Sequence, residues 1–180
     1  MIIYLAAPVF SQCERIYNRR LAELLEKQLP GTRVVLPQDF RIPGRASFND
    51  RRHLAALFKQ CRCALQESDL VLAILDGADA DSGVAFEVGY ARGLGKPVVG
   101  LRTDYRQLQL KGLNMMLAEG CTEIVCRFSF NERLEDTVAA LVEKIEHSLA
   151  RHNRLPQGRQ ASGSPLPPAE RSIDLRSHRR

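Results

Sequence analysis

Leu70-Val71-Leu72-Ala73-Ile74-Leu75, then Asp76-Gly77-Ala78-Asp79-Ala80-Asp81, then Ser82-Gly83-Val84-Ala85-Phe86-Glu87-Val88-Gly89-Tyr90 is the stretch that decides how this chain folds. The apolar run is short, continuous and bounded by turn residues, which reads as a buried strand. The polar loop follows, and Ser82 is placed to cap a helix running to about Leu94, with Gly95 as its stop and Pro97 just beyond. At about 100° per residue, Val84, Glu87, Val88 and Ala91 share one face, so Glu87 sits beside the apolar stripe rather than opposite it. Gly89 and Gly93 each cost about 1 kcal/mol against Ala inside a helix, and close packing or a ligand is expected to offset that. A strand handing over to a helix is where open α/β sheets bind ligands.

The same alternation runs outward in both directions. Upstream, Ile2–Ala6 reads as a first strand, Ala7–Phe10 as the loop after it, and Ser11-Gln12-Cys13-Glu14 as a capping box opening a helix to about Leu29. Val34–Leu36 is a second strand, residues 37–47 a loop long enough to cover a site, and about 49–66 another helix. Downstream, Val98–Leu101 is a fourth strand, a short segment lies around Leu113–Glu119, a fifth strand falls near Glu123–Cys126, and an amphipathic helix runs from about Asn131 to Ala150. Five strands alternating with helices predict an α/β, flavodoxin- or Rossmann-like three-layer sandwich with a parallel sheet in the order 2-1-3-4-5. That order brings the loop after Tyr4 and the loop before Glu87 into one crevice.

Composition narrows the class. The chain has 180 residues, 44% of them hydrophobic, enough for one domain with a sizeable core. Residues 151–180 carry seven Arg against Glu170 and Asp174, a surplus equal to the whole net charge of +5. The basic character therefore belongs to a Pro/Ser/Arg-rich tail, expected over 153–180 and disordered by composition, while 1–152 forms the domain. The tail has no interleaved aromatics, so no specific nucleic-acid partner is expected. No run reaches the ~18 apolar residues of a membrane span, and the N-terminus enters a strand with no leader pattern. Five scattered Cys suit reduced thiols in a cytoplasm. Cys61 and Cys63 point apart on a helix, and Cys121 and Cys126 have no nearby His, so no metal is expected.

Asp81-Ser-Gly-(x)3-Glu87-x-Gly-Tyr-Ala followed by Gly95-Lys96-Pro97-Val98 resembles the signature of the nucleoside 2-deoxyribosyltransferases, whose superfamily includes nucleotide N-glycoside hydrolases. The resemblance spans Tyr4 to about Val125. It implies that Glu87 is the nucleophile attacking the anomeric carbon, that Tyr4 holds and tunes that carboxylate, and that Asp81 binds sugar hydroxyls. It further implies that Phe10 stacks on the base, that Gln38 meets the base edge, and that Asn114 reaches a neighbouring subunit's site in a homo-oligomer. Gly83 would let a ligand approach the helix start. Each has an ordinary alternative: a core tyrosine for Tyr4, a helix cap for Asp81 or Asn114, a solvated helix glutamate for Glu87.

One position departs from the family pattern. Many relatives carry an Asp eight residues before Asp69 as proton donor to the leaving base; here that residue is Cys61, a poor substitute at neutral pH. Either Asp39 or Asp69 takes the role, although Asp69 reads as structural, or the leaving base is assisted otherwise, or the activity has drifted. Three functions follow. The first is transfer of the sugar of a nucleoside to another base through a glutamyl-sugar ester; the second is hydrolysis of nucleoside 5′-monophosphates; the third is a non-catalytic nucleotide sensor. The hydrolase needs a phosphate site, for which Arg102, Arg106 and the helix start at Ser11 are candidates. The carboxylate mechanism needs no cofactor.

Overall fold

The apolar run at 70–75 forms β3 (Leu70–Ile74), every residue of it buried, at the centre of a five-stranded sheet. The computed structural model describes residues 1–41, 50–106 and 113–154. Its other strands are β1 (Ile2–Ala6), β2 (Arg33–Val35), β4 (Val98–Arg102) and β5 (Glu123–Cys126). All neighbours pair in parallel, and the order is β2-β1-β3-β4-β5, as the alternating pattern predicts. Tyr4 lies opposite Val35 on one side and Val71 on the other.

Strand periodicity of two splits the core into two layers. Ile3, Leu5, Leu72 and Leu101 face α1 (Gln12–Gln28) and α5 (Leu134–Asn153), packing with Leu21, Leu25, Val138 and Leu141. Tyr4, Ala6, Val71, Ala73 and Leu75 face α2 (Arg51–Glu67), α3 (Ser82–Gly93) and α4 (Met115–Gly120), packing with Leu65, Val84, Val88, Ala91 and Leu117. The central strands are covered on both faces, which is why they read as unbroken apolar runs. Burying one such Leu stabilises the fold by about 2 kcal/mol, and truncating Leu21 or Leu72 to Ala would cost about 2–5 kcal/mol.

Local signals hold at most boundaries. Ser11 Oγ accepts from the Glu14 amide and Glu14 Oε2 accepts from the Ser11 amide, the reciprocal box expected at the head of α1. Gly95, at φ +75°, ends α3: its own amide donates to Arg92 O, and the Lys96 amide donates to Ala91 O, the paired bonds of a Schellman motif. Three expectations need correction. The cap of α3 is Asp81, one residue before Ser82, because the longer carboxylate reaches two amides at once. Among the described residues a Cβ added at Gly89 or Gly93 would meet nothing within 4 Å, so close packing against them does not explain either glycine. Helix α5 starts three residues later than expected and runs on to Asn153 rather than about Ala150.

Residues 155–180, nearly all of the expected tail, lie outside the described residues, as do 42–47 of the expected covering loop. Pro37–Asp39 at the start of that loop forms a single 3-10 turn. No helix among the described residues is long and apolar enough to cross a membrane.

Candidate active site

Sheet order places the carboxyl ends of β1 and β3 side by side, at the point where the chain winds in opposite directions. Tyr4 is fully buried on β1, facing α3 because of strand alternation. Its hydroxyl donates to Glu87 Oε1 at 2.5 Å, across 83 residues of sequence. An O–H···O⁻ contact of that length is charge-assisted. Tyr4 and Glu87, which the resemblance expected to touch through that hydroxyl, are brought together.

Glu87 lies in the second turn of α3, one face-step from buried Val84, Val88 and Ala91. Burial pushes its carboxyl up from 4.5 to about 7; the Tyr4 hydrogen bond pulls down, and the Asp81 charge adds to the rise. Burial, then the neighbouring Glu87 charge, pushes the Tyr4 phenol far above its ordinary range, so Tyr4 stays protonated and remains a donor. Near neutral pH the site therefore holds a carboxylate poised between its two forms, with a permanent donor on one oxygen. A carboxylate so held can act as a nucleophile toward an electrophilic carbon once its proton is gone.

Asp81 Oδ1 accepts from the amides of Gly83 at 2.8 Å and Val84 at 3.1 Å, so the capping alternative is realised. It is also close enough to Glu87 for its charge to be felt there. A Cβ at Gly83 would lie 2.9 Å from Asp81 Oδ1, so the space at Gly83 is used by the cap itself. Phe10, in the loop after β1, is 78% exposed and free of the core. Gln38 is tied in: its Nε2 donates to Arg15 O at 3.0 Å and its Oε1 accepts from Asn18 Nδ2 at 3.3 Å. Asn114 is exposed and caps α4 by accepting from the Met116 amide at 2.8 Å.

The candidates for proton donor and phosphate site are mostly engaged elsewhere. Asp69 Oδ2 accepts from the Ile2 amide at 2.7 Å at the amino ends of the strands, a structural role at the far edge. Asp39 is clamped by Arg19. Arg102 is fully buried and donates to Leu75 O, to Gly77 O at 3.1 Å and to Arg106 O at 3.0 Å, so it is not available to a phosphate. Arg106 pairs with Asp104, and at the head of α1 the Ser11 and Glu14 amides serve the capping box.

Sequence reasoning missed two devices that shape the crevice. Asn18, buried in mid-helix, donates to Pro8 O at 2.9 Å as well as to Gln38, joining the loops after β1 and β2. Asp76 accepts from the Thr103 amide at 2.5 Å, the Thr103 hydroxyl and the Asp104 amide at 2.9 Å, while Asp104 accepts from the Gly77 amide at 2.9 Å. With Arg102, these bonds lock the loop after β3 to the loop after β4. An Asn on the apolar face of α1 and an Arg ending the apolar run of β4 were the signals available.

A cavity of about 500 Å³ opens at the opposite edge, among Ser68, Asp69, Lys96 and His152. It lies at the amino ends of the strands, away from Glu87, and the chemistry of the site does not use it. Among the described residues no group of three or more His, Cys, Asp or Glu could hold a metal ion.

Comparison with known proteins agrees with the fold. The fold is shared with a conserved protein from Enterococcus faecalis V583, at 27% identity and a TM-score of 0.61 over 80% of this chain and 98% of that one. It is shared with a 2-deoxyribosyltransferase from Bacillus psychrosaccharolyticus, at 24% identity and TM-score 0.60 over 77% and 90%. A CMP N-glycosidase from Clostridium botulinum matches at 21% identity and TM-score 0.51 over 79% and 99%. At these last two identities the likeness is one of fold. No curated protein matches by sequence. The profile of the nucleoside 2-deoxyribosyltransferases, however, matches residues 3–123, well over half the chain and the whole of the sheet up to the start of β5. This chain belongs to the nucleoside 2-deoxyribosyltransferase family.

Proposed function

We propose that the protein cleaves the N-glycosidic bond of a (deoxy)nucleoside and transfers the sugar to another base through an ester on Glu87. The observation that carries this reading is the Tyr4–Glu87 hydrogen bond at the β1/β3 switch point, with the Glu87 carboxyl poised at about 7. Glu87 attacks C1′ as the C1′–N bond breaks and the base departs with the bonding pair. A second base then attacks C1′ from the opposite face and the carboxylate leaves. Asp81 would take sugar hydroxyls with Oδ2, since Oδ1 is used by the cap. Phe10 is free to stack on the base, and Gln38 is held in the neighbouring loop by Asn18.

We also propose a cytoplasmic homo-oligomer with shared sites. All five cysteines are thiols outside any disulfide, and Asn114 stands exposed beside Met115 and Met116, open to a second copy.

The test is a chromatographic assay of deoxynucleosides and their 5′-monophosphates, with and without a second free base, using Glu87→Ala as control. A new nucleoside that appears only with acceptor base is the expected result. Equal release of base and sugar without acceptor would replace transfer by hydrolysis. No turnover with any substrate would overturn the enzyme reading in favour of a nucleotide sensor.

A further inference from the structure

Ser82, Phe86, Gly89 and Gly93 fall within about 60° of one another around α3, on the side opposite buried Val84, Val88 and Ala91. All four are exposed, Phe86 by 53%. Each glycine costs about 1 kcal/mol against Ala inside a helix, yet among the described residues a Cβ at either would meet nothing within 4 Å. Beside them runs a fixed row of rings. Phe86 stacks on Tyr90 at 6.0 Å and 8°, Phe58 of α2 meets Phe86 at 6.0 Å, and the Tyr90 hydroxyl accepts from Gln66 Nε2 at 3.0 Å. Phe58 is 54% exposed, and Leu54, one turn earlier, is 45% exposed. Solvated rings and bare helix glycines on one face are each unfavourable in a lone chain.

We propose that this face of α3 binds a second copy of the chain, with Phe86 of each copy seated over the glycines of the other. A twofold axis needs a surface that is its own complement. Helix α3 carries both halves of one, a protruding ring at Phe86 and bare backbone at Gly89 and Gly93. With two copies antiparallel about a point between Gly89 and Tyr90, Phe86 of one lies over Gly93 of the other, and the contact is made twice. Glycine lets the two backbones approach closely enough to cover the ring. A different partner would need only one half of this pattern. The two charges of α3, Glu87 and Arg92, lie on its flanks, so like copies meet without repulsion at the axis.

Size agrees with the same occupant. Each half-open ring presents about 100 Å². Leu54 adds to this, as do exposed Met115 and Met116 on α4, which packs on the other flank of α3. One copy then offers about 500 Å² of apolar surface and two copies about 1,000 Å², where specific association begins.

The inference rests on the homo-oligomer proposed above and names its face, and the outcomes separate the two. Full-length wild type and variants are compared by sedimentation velocity and light scattering across about 0.1–100 μM, with urea unfolding as a check on each fold. Wild type should be a dimer or an even-numbered assembly of dimers. Phe86→Lys and Gly93→Leu should each weaken association at least about tenfold. Gly93→Leu has room in the single subunit and favours helix, so at dilutions where both proteins are monomeric it should unfold at no lower urea than wild type. Phe130→Lys, at a ring 87% exposed between β5 and α5, should leave association unchanged. A wild type monomeric throughout would overturn the inference together with the proposed oligomer and leave the face to another partner. An oligomer that neither Phe86→Lys nor Gly93→Leu weakens would overturn this face and leave the proposed oligomer standing. Equal weakening by Phe130→Lys would also overturn it, because association would then follow exposed aromatics in general. If one of the two face variants does not fold, the other decides.

Discussion

Replacing Glu87 by Gln should stabilise the protein in a pH-dependent way while abolishing turnover. The carboxyl is held at about 7 against an ordinary 4.5. Between those values the folded state keeps a proton that the unfolded chain has released. Stability therefore falls as pH rises through that window and is level above it. At roughly 1.4 kcal/mol per pH unit the ionised carboxylate costs the folded state up to about 3 kcal/mol, and water reaching its exposed part reduces this to about 2. Gln has no proton to lose, and its amide oxygen can still accept from Tyr4. Glu87→Gln should match wild type near pH 4.5 and exceed it by about 2 kcal/mol at about pH 8, roughly 4–8 °C in Tm for a chain of this size. Urea unfolding of both proteins at the two pH values measures this, because the titration of every other carboxylate cancels in the difference. An advantage equal at both pH values, or no advantage at about pH 8, would refute the argument that burial holds the Glu87 proton.

Four further outcomes can be checked. Tyr4→Phe removes the donor that pulls the Glu87 carboxyl down, so the acid limb of kcat/KM should move up by about one pH unit, with kcat reduced roughly 10- to 100-fold. Asp81→Asn keeps the cap but removes the charge that raises Glu87, so the same limb should move down, whereas Asp81→Ala should also lose about 1 kcal/mol of stability in denaturant titration. Arg102→Met strands three carbonyls that the guanidinium now satisfies and should cost about 2–4 kcal/mol in urea unfolding. Asn114→Ala should cost about 1 kcal/mol through the lost cap of α4. If Asn114 also serves a neighbour's site, KM should rise without any change in the free monomer's fold.

The sheet was legible in the sequence because its strands are buried on both faces and separated by capped helices. Leu70–Ile74 and the Ser11 box needed only local rules. The crevice was legible because strand order follows from the alternation and decides which loops meet, whereas the contact of Tyr4 with Glu87 was expected only from the family signature. What escaped is what local pattern does not encode. Asp81 rather than Ser82 caps α3 because side-chain reach, not residue type, chooses between two good caps. Arg102 looked like a candidate phosphate ligand because a sequence shows charge without burial. Gly89 and Gly93 suggested close packing that the described neighbours do not supply.

The polar ties of the crevice fall into two sets that share no residue. Asn18 and Gln38 secure one wall, after β1 and β2; Arg102, Asp76 and Asp104 secure the other, after β3 and β4. Tyr4 belongs to the first wall and Glu87 to the second, and their hydrogen bond spans the gap. On the proposed function, substitutions that reshape the first wall around Phe10 should alter which base fits without loosening the bonds that anchor the helix of Glu87. A lineage built this way can vary one loop system while the Glu87 carboxylate is inherited intact on the other.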